Sequence, residues 1–159
     1  VDLVKFGFGT SLFTENLQEK IKVYKSANII PYFGGTLFEA FEVRNLLDDY
    51  KKYMQKYNIE LMEVSDGEAD IPHDKKCEYI RDFIKDFRVL SEVGSKEADV
   101  VIPANEWVDM TKKELDAGSW KVIAEARESG TIGIYNKDGS ANMELIESIH
   151  NEVSNDKIL

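Results

Sequence analysis

The chain is poor in cysteine, proline and positive charge, and each shortage excludes something. A single cysteine, Cys77, in 159 residues allows no intramolecular disulfide, which fits a reducing, cytoplasmic setting. Lys and Arg number 20 against 30 Asp and Glu, a net charge of −10. Nucleic acids and acidic membrane surfaces draw affinity from clustered cations, and no basic run exceeds the dipeptides Lys51-Lys52, Lys75-Lys76 and Lys112-Lys113. Neither kind of partner is expected. No apolar stretch approaches the roughly 20 residues of a membrane span, and no basic-then-apolar leader precedes the first strand-like segment. The three prolines form no linker, and no low-complexity tract divides the chain, so one domain over residues 1–159 is expected. What is present is core material: 43% hydrophobic and 11% aromatic residues argue against disorder. Val1 is already β-rich, and Asp156-Lys157-Ile158-Leu159 ends where a new strand could begin. The chain therefore reads as part of a longer protein.

Short β-branched or aromatic runs alternate with helical patterns. The runs are apolar on both parities apart from one charge near the end of most of them, the mark of parallel strands covered on both faces. Strands are predicted over Val1–Gly7, Ile29–Gly34, Glu60–Asp66, Phe87–Gly94 and Trp120–Arg127. Their ends, marked by Lys5, Gly35, Glu63, Glu92 and Glu125, are spaced by 30, 28, 29 and 33 residues. A period of about 30 residues is that of a βαβ module. Helical stripes fall between them: Leu17, Ile21 and Tyr24 behind a Thr14 N-cap and closed by Asn28; Leu46, Leu47, Tyr50, Tyr53, Met54 and Tyr57; Cys77, Ile80, Phe83, Ile84 and Phe87; Val108 and Leu115 stopped at Ala117-Gly118; and Leu145, Ile146, Ile149 and Val153. Five such units fit an open doubly wound sheet or part of an eight-unit barrel, and periodicity does not choose between them.

Three strands carry a glutamate between small or apolar neighbours near the C-terminal end: Met62-Glu63-Val64, Ser91-Glu92-Val93 and Ala124-Glu125-Ala126. Buried carboxylates are costly unless paired or bound to metal, and three of them with Asp66 demand cations. Lys5, Lys96 and Arg127 stand at the same strand ends, and a divalent ion would supply the rest. An oxygen-only donor set of Glu63, Asp66, Glu92 and Glu125 favours Mg²⁺ over Zn²⁺. The alternative is a set of internal salt bridges without chemistry.

Gly34-Gly35-Thr36 follows a strand and precedes a helical pattern, so its N–H groups could approach an anion; a plain tight turn is the competing reading. Gly7-Phe8-Gly9, Gly94-Ser95-Lys96 and Ser129-Gly130-Thr131 hold the equivalent place after three other strands. His73 and His150 read as solvated surface residues, and Cys77 as a buried, inert thiol.

Taken together, Val4-Lys5-Phe6-Gly7-Phe8-Gly9-Thr10-Ser11, Gly34-Gly35-Thr36-Leu37-Phe38-Glu39, Glu63-Val64-Ser65-Asp66-Gly67, Ser91-Glu92-Val93-Gly94-Ser95-Lys96 and Glu125-Ala126-Arg127-Glu128-Ser129-Gly130 resemble the phosphosulfolactate synthase family in order and spacing. The resemblance implies a parallel (βα)8 TIM barrel, α/β in class, of which this chain would hold the second to sixth units. It implies Mg²⁺-dependent addition of sulfite to phosphoenolpyruvate, a carbon–sulfur lyase reaction of coenzyme M biosynthesis. Lys96 matches the lysine for which the general-acid role is proposed, Lys5 or Arg127 would hold substrate anions, and Gly34, Gly35, Thr36, Ser129 and Gly130 would line the substrate site. Glu68 departs from the small hydroxyl residue common at its position. Absent units would leave two open sheet edges, so an isolated segment is expected to associate, open flat or remain partly disordered, and a homo-oligomer is the expected assembly. Two other readings are a different phosphoenolpyruvate or enolase-like barrel enzyme, and a non-enzymatic stress-associated or assembly protein. The second should lose the strand-end charges retained here.

Overall fold

In a computed structural model, the structure describes residues 1–94, 102–126, 130–131 and 133–159. Five strands, β1 (Leu3–Phe6), β2 (Ile30–Phe33), β3 (Leu61–Val64), β4 (Arg88–Val93) and β5 (Lys121–Ala124), lie in sequential order and pair parallel throughout. Sequential order decides what periodicity left open. A doubly wound sheet reverses direction at a switch point, whereas this sheet adds each strand to the same edge and curls into a partial, half-barrel arc. All five expected strands are present, each a little shorter than its apolar run.

The crossovers are helical: α1 (Leu17–Ser26), α2 (Gly35–Glu42), α3 (Leu47–Lys56), α4 (His73–Phe83), α5 (Ala104–Ala117) and α6 (Met143–Glu152). Side chains alternate along each strand. Phe33, Met62, Val64 and Val89 pack outward against helix residues such as Phe38, Tyr50, Met54, Ile80 and Phe83. Val93 and Val122 continue that layer against Trp107, Leu145 and Ile149. The concave face holds Tyr32, Leu61 and Leu90. Both faces of the strands are therefore covered, as their unbroken apolar runs require. Phe38 sits centrally, with ring centroids 5.7 Å from Tyr79 and 5.8 Å from Phe83, and truncating such a ring typically costs about 3–5 kcal/mol.

Several local readings are corrected. The residue before α1 is Asn16, in the left-handed region at φ 53, while Thr14 Oγ1 donates back to the Thr10 carbonyl instead of capping the helix. The second unit carries two helices, not one: the chain turns at Asn45, φ 56, between α2 and α3. Ile84, placed on an apolar stripe, is 41% exposed. Asn28, at φ 58, and Gly118, at φ +114, do close their helices. At the outer edge of β5, Ile158 bridges Val122 in parallel, and Leu159 exchanges main-chain bonds with Val122 and Ala124. Among the described residues no helix is long and apolar enough to cross a membrane.

Candidate active site

Parallel strands bring their C-terminal ends to one rim, and there the alternation that buries Leu61 and Leu90 on the concave face also turns Lys5, Glu63 and Glu92 toward it. Lys5 Nζ lies 2.8 Å from Glu63 Oε1 and 3.8 Å from Glu92 Oε2, tying β1 to β3 and β4. Glu63, Glu92 and Glu125 are all buried, at 1%, 5% and 7% exposure. A cleft of about 530 Å³ opens at this rim, and Lys5, Phe8, Thr36, Glu68, Glu92 and Glu125 line it.

The Gly34-Gly35 turn explains its own composition. A Cβ on Gly34 would stand 2.7 Å from Lys5 Cε, and one on Gly35 would stand 2.1 Å from Ser65 Oγ and 2.8 Å from Glu63 Oε1. The Gly35 N–H, at the start of α2, donates to Glu63 Oε1 over 2.9 Å. The anion that this helix N-terminus holds is thus an internal carboxylate, and Thr36 is the residue of the turn that reaches the cleft.

Electrostatics at the rim are strained toward the neutral form. Burial pushes the Glu63 carboxyl above its ordinary range; Lys5 opposes the shift and Glu92 adds to it. Both Lys5 and Gly35 bond the same oxygen of Glu63, and its buried Oε2 has no hydrogen-bond partner. Burial also raises Tyr32 on the concave face, with Glu63 and Glu92 adding to the effect.

Asp66 stands apart from the other acidic candidates. Its Oδ1 is 2.9 Å from Nζ of Lys76, a residue with no exposed surface. Lys76 is also 2.8 Å from Glu114 Oε1 on α5 and donates to the main-chain carbonyl of Glu92. Burial lowers the Lys76 pKa, but Glu114 and Asp66 outweigh it and the net shift is upward. His73 belongs to this cluster, its Nε2 3.2 Å from Glu114 Oε1 and its side chain only 19% exposed. Reading it as a solvated surface histidine is therefore corrected: it starts α4 on the side facing α5. His150 is exposed, and its Nδ1 meets Asn155. Cys77 is buried, and burial pushes its thiol up.

Sequence reasoning missed Lys76, Glu114 and Glu39. The signal was there for two of them: Lys76 shares a stripe with Ile80 and Phe83, and Glu114 one with Trp107 and Thr111, all buried. Glu39 is 2% exposed and accepts from the Glu68 and Ala69 main-chain N–H groups at 2.7 and 2.6 Å, and from the Ser65 hydroxyl. Lys96, Arg127 and Ser129 lie outside the described residues. Gly130 has φ +66, with open space where a Cβ would be.

The oxygen donors present are of the kind Mg²⁺ takes, and the orphaned Glu63 Oε2 is a buried acceptor in want of a cation or a proton. Among the described residues no three acidic, His or Cys side chains converge as a ligand cluster. A sparse site, with one or two carboxylates and the remaining positions given to water and substrate, is what this set fits.

The family model described as "(2R)-phospho-3-sulfolactate synthase (ComA)" matches residues 1–159. The chain is 40% identical over 151 residues to a phosphosulfolactate synthase of Bacillus subtilis, covering 94% of this chain and 60% of the relative. It is 34% identical over 165 residues to that of Methanothermobacter thermautotrophicus, covering 64% of that protein, and 35% identical over 166 residues to that of Methanocaldococcus jannaschii, covering 66%. The chain thus spans less than two thirds of the length of these curated relatives.

Proposed function

The chain belongs to the phosphosulfolactate synthase family, and on that premise we propose that the full-length protein is a Mg²⁺-dependent, cytoplasmic (βα)8-barrel lyase that adds sulfite to phosphoenolpyruvate. The observation that carries the reading is one cation, Lys5, held between carboxylates of two other strands at the mouth of a cleft that Thr36, Glu92 and Glu125 also line. Substrates of this reaction are small and anionic, and because the described lining sets Glu68, Glu92 and Glu125 against Lys5, their binding would call on the divalent ion together with Lys96 and Arg127.

In the proposed step the sulfur lone pair of sulfite forms a C–S bond to the methylene carbon. The π electrons move onto the phosphate-bearing carbon and into the substrate carboxylate, and a proton delivered to that carbon gives phosphosulfolactate. Lys5 binds and orients the substrate's anionic end, its stem running through the space that a Gly34 side chain would otherwise fill. Lys96 donates the proton, and Arg127, Ser129 and Gly130 complete the anion contacts after β5. Glu92 and Glu125 would hold Mg²⁺ with Glu63 behind them; Asp66 is engaged by Lys76. Bound there, the ion would supply Lewis-acid stabilisation of the charge that builds on the carboxylate.

The test is incubation of the full-length protein with phosphoenolpyruvate, sulfite and Mg²⁺, following phosphorus-31 resonances. Conversion that requires sulfite and is lost in Lys96→Ala supports the reading. Conversion without sulfite would point to an enolase-like reaction, and no conversion, with Lys96→Ala behaving as wild type, would remove the lyase assignment.

A further inference from the structure

The loop between β3 and α4 is gripped from two sides by buried side chains of opposite charge. From α2, Glu39 takes the main-chain N–H groups of Glu68 and Ala69 on Oε2, at 2.7 and 2.6 Å, and the Ser65 hydroxyl on Oε1. From α4, Lys76 holds Asp66 Oδ1 at 2.9 Å and reaches across to the Glu92 carbonyl at the end of β4. Four of the five residues 65–69 are thus bonded to one or the other. Glu39 and Lys76 are 2% and 0% exposed, and neither lines the cleft. Their charges are kept out of water only because nearly every bond they can make is made.

Loops that carry functional groups are ordinarily the mobile part of a fold. This one presents Glu68 to the cleft, and the strand end that Lys76 grips presents Glu92. We propose that Glu39 and Lys76 are positioning residues, which fix segment 65–69 and the end of β4 so that Glu68 keeps its place in the cleft lining and Glu92 its place beside Lys5, where it would hold the divalent ion. The inference rests on the sulfite-addition reading of the site. Glu39 accepts three bonds, so an amide in its place turns an N–H toward donors and releases part of the loop. A displaced group near reacting atoms costs rate more than binding, on the order of tenfold to a hundredfold.

The experiment compares Glu39→Gln and Lys76→Met with Ile21→Ala, a core truncation on α1 away from the loop, in the full-length protein. Amide hydrogen exchange over residues 65–69 and 92–94 is measured along with kcat and KM for phosphoenolpyruvate. The expected result is exchange at least about tenfold faster in those segments for Glu39→Gln and Lys76→Met, with kcat lowered by about tenfold or more and KM little changed. Ile21→Ala is expected to lower thermal stability while leaving loop exchange and kcat near wild type. Unchanged loop exchange in the two variants, or an equal loss of kcat in Ile21→Ala, would overturn the inference. Should Lys76→Met fail to fold, Ser65→Ala removes one bond of the grip and keeps every charge; faster exchange at Glu68 and Ala69 supports the proposal and unaltered exchange refutes it. If the wild type does not add sulfite, the functional reading fails by itself, and the exchange measurement still decides whether the two residues hold the rim.

Discussion

Replacing Lys76 by methionine removes an ammonium that neutralises the buried Glu114 and the half-buried Asp66. Asp66 and Glu114 lie 2.9 and 2.8 Å from it, and Glu114 has no exposed surface and one oxygen already without a partner. Methionine fills the volume of the stem, so packing is nearly kept and the loss is electrostatic. Breaking a buried pair by removing one partner costs about 3–5 kcal/mol, a large part of the roughly 5–15 kcal/mol that holds a domain folded. At about 2–4 °C per kcal/mol for a chain of this size, the melting temperature should drop by roughly 6–20 °C. Lys76→Met/Glu114→Gln removes the deeper of the two orphaned charges and should recover about 1–3 kcal/mol, a coupling typical of contacting residues. The pH dependence has a definite sign. Lys76 is raised above its ordinary 10.5, so its contribution is complete below that value and fades as pH climbs through the higher folded value. Urea denaturation of the wild type, the single and the double variant at pH 7 and pH 11 measures all of this. A loss under about 1 kcal/mol for Lys76→Met, the size expected of an exposed pair, with no recovery in the double variant, would refute the reasoning.

Three further outcomes are expected. Glu63 is raised above 4.5 by burial, so its protonated form favours the fold: the stability of wild type minus that of Glu63→Gln should fall as pH rises from 4.5 through the folded value, and a difference growing with pH in urea melts would contradict this. Gly35→Ala places a methyl 2.1 Å from Ser65 Oγ and 2.5 Å from its Cβ; overpacking of this kind costs about 1–3 kcal/mol, and Ser65→Gly should restore most of it in thermal melts, whereas full stability of Gly35→Ala alone would count against the described turn. Cys77 is 4% exposed and its thiol is pushed up by burial, so Ellman's reagent should label the native protein only at its rate of opening, and a fast burst would show an accessible thiol.

Much of the architecture was legible in the chain because parallel strands covered on both faces need apolar residues on both parities, and few other elements do. The same logic exposed Glu63, Glu92 and Glu125, since a charge in such a run has no water to face. Strand order was not legible: each crossover looks alike whether the next strand joins the left or the right of the sheet. The split between α2 and α3 was hidden because Phe41, Leu47 and Tyr50 continue one apolar surface around the turn at Asn45. Lys76 and Glu114 escaped for a different reason. A lysine or glutamate within a helix reads as solvated unless its phase is compared with the stripe, and these two find each other only when α4 packs on α5. His73 was misread with them, because its partner Glu114 comes from that same distant helix.

The central claim is that Lys5 and the strand-end carboxylates form one substrate site around a divalent ion. Calorimetric titration of phosphoenolpyruvate into the full-length protein, with and without Mg²⁺, tests it in wild type and Lys5→Met. A charge-assisted contact is worth about 1.5–3 kcal/mol, so binding should weaken by roughly ten- to a hundredfold in Lys5→Met and should require the ion. Phosphoenolpyruvate bound equally well by Lys5→Met, or bound without regard to Mg²⁺, would place the substrate elsewhere and contradict the account.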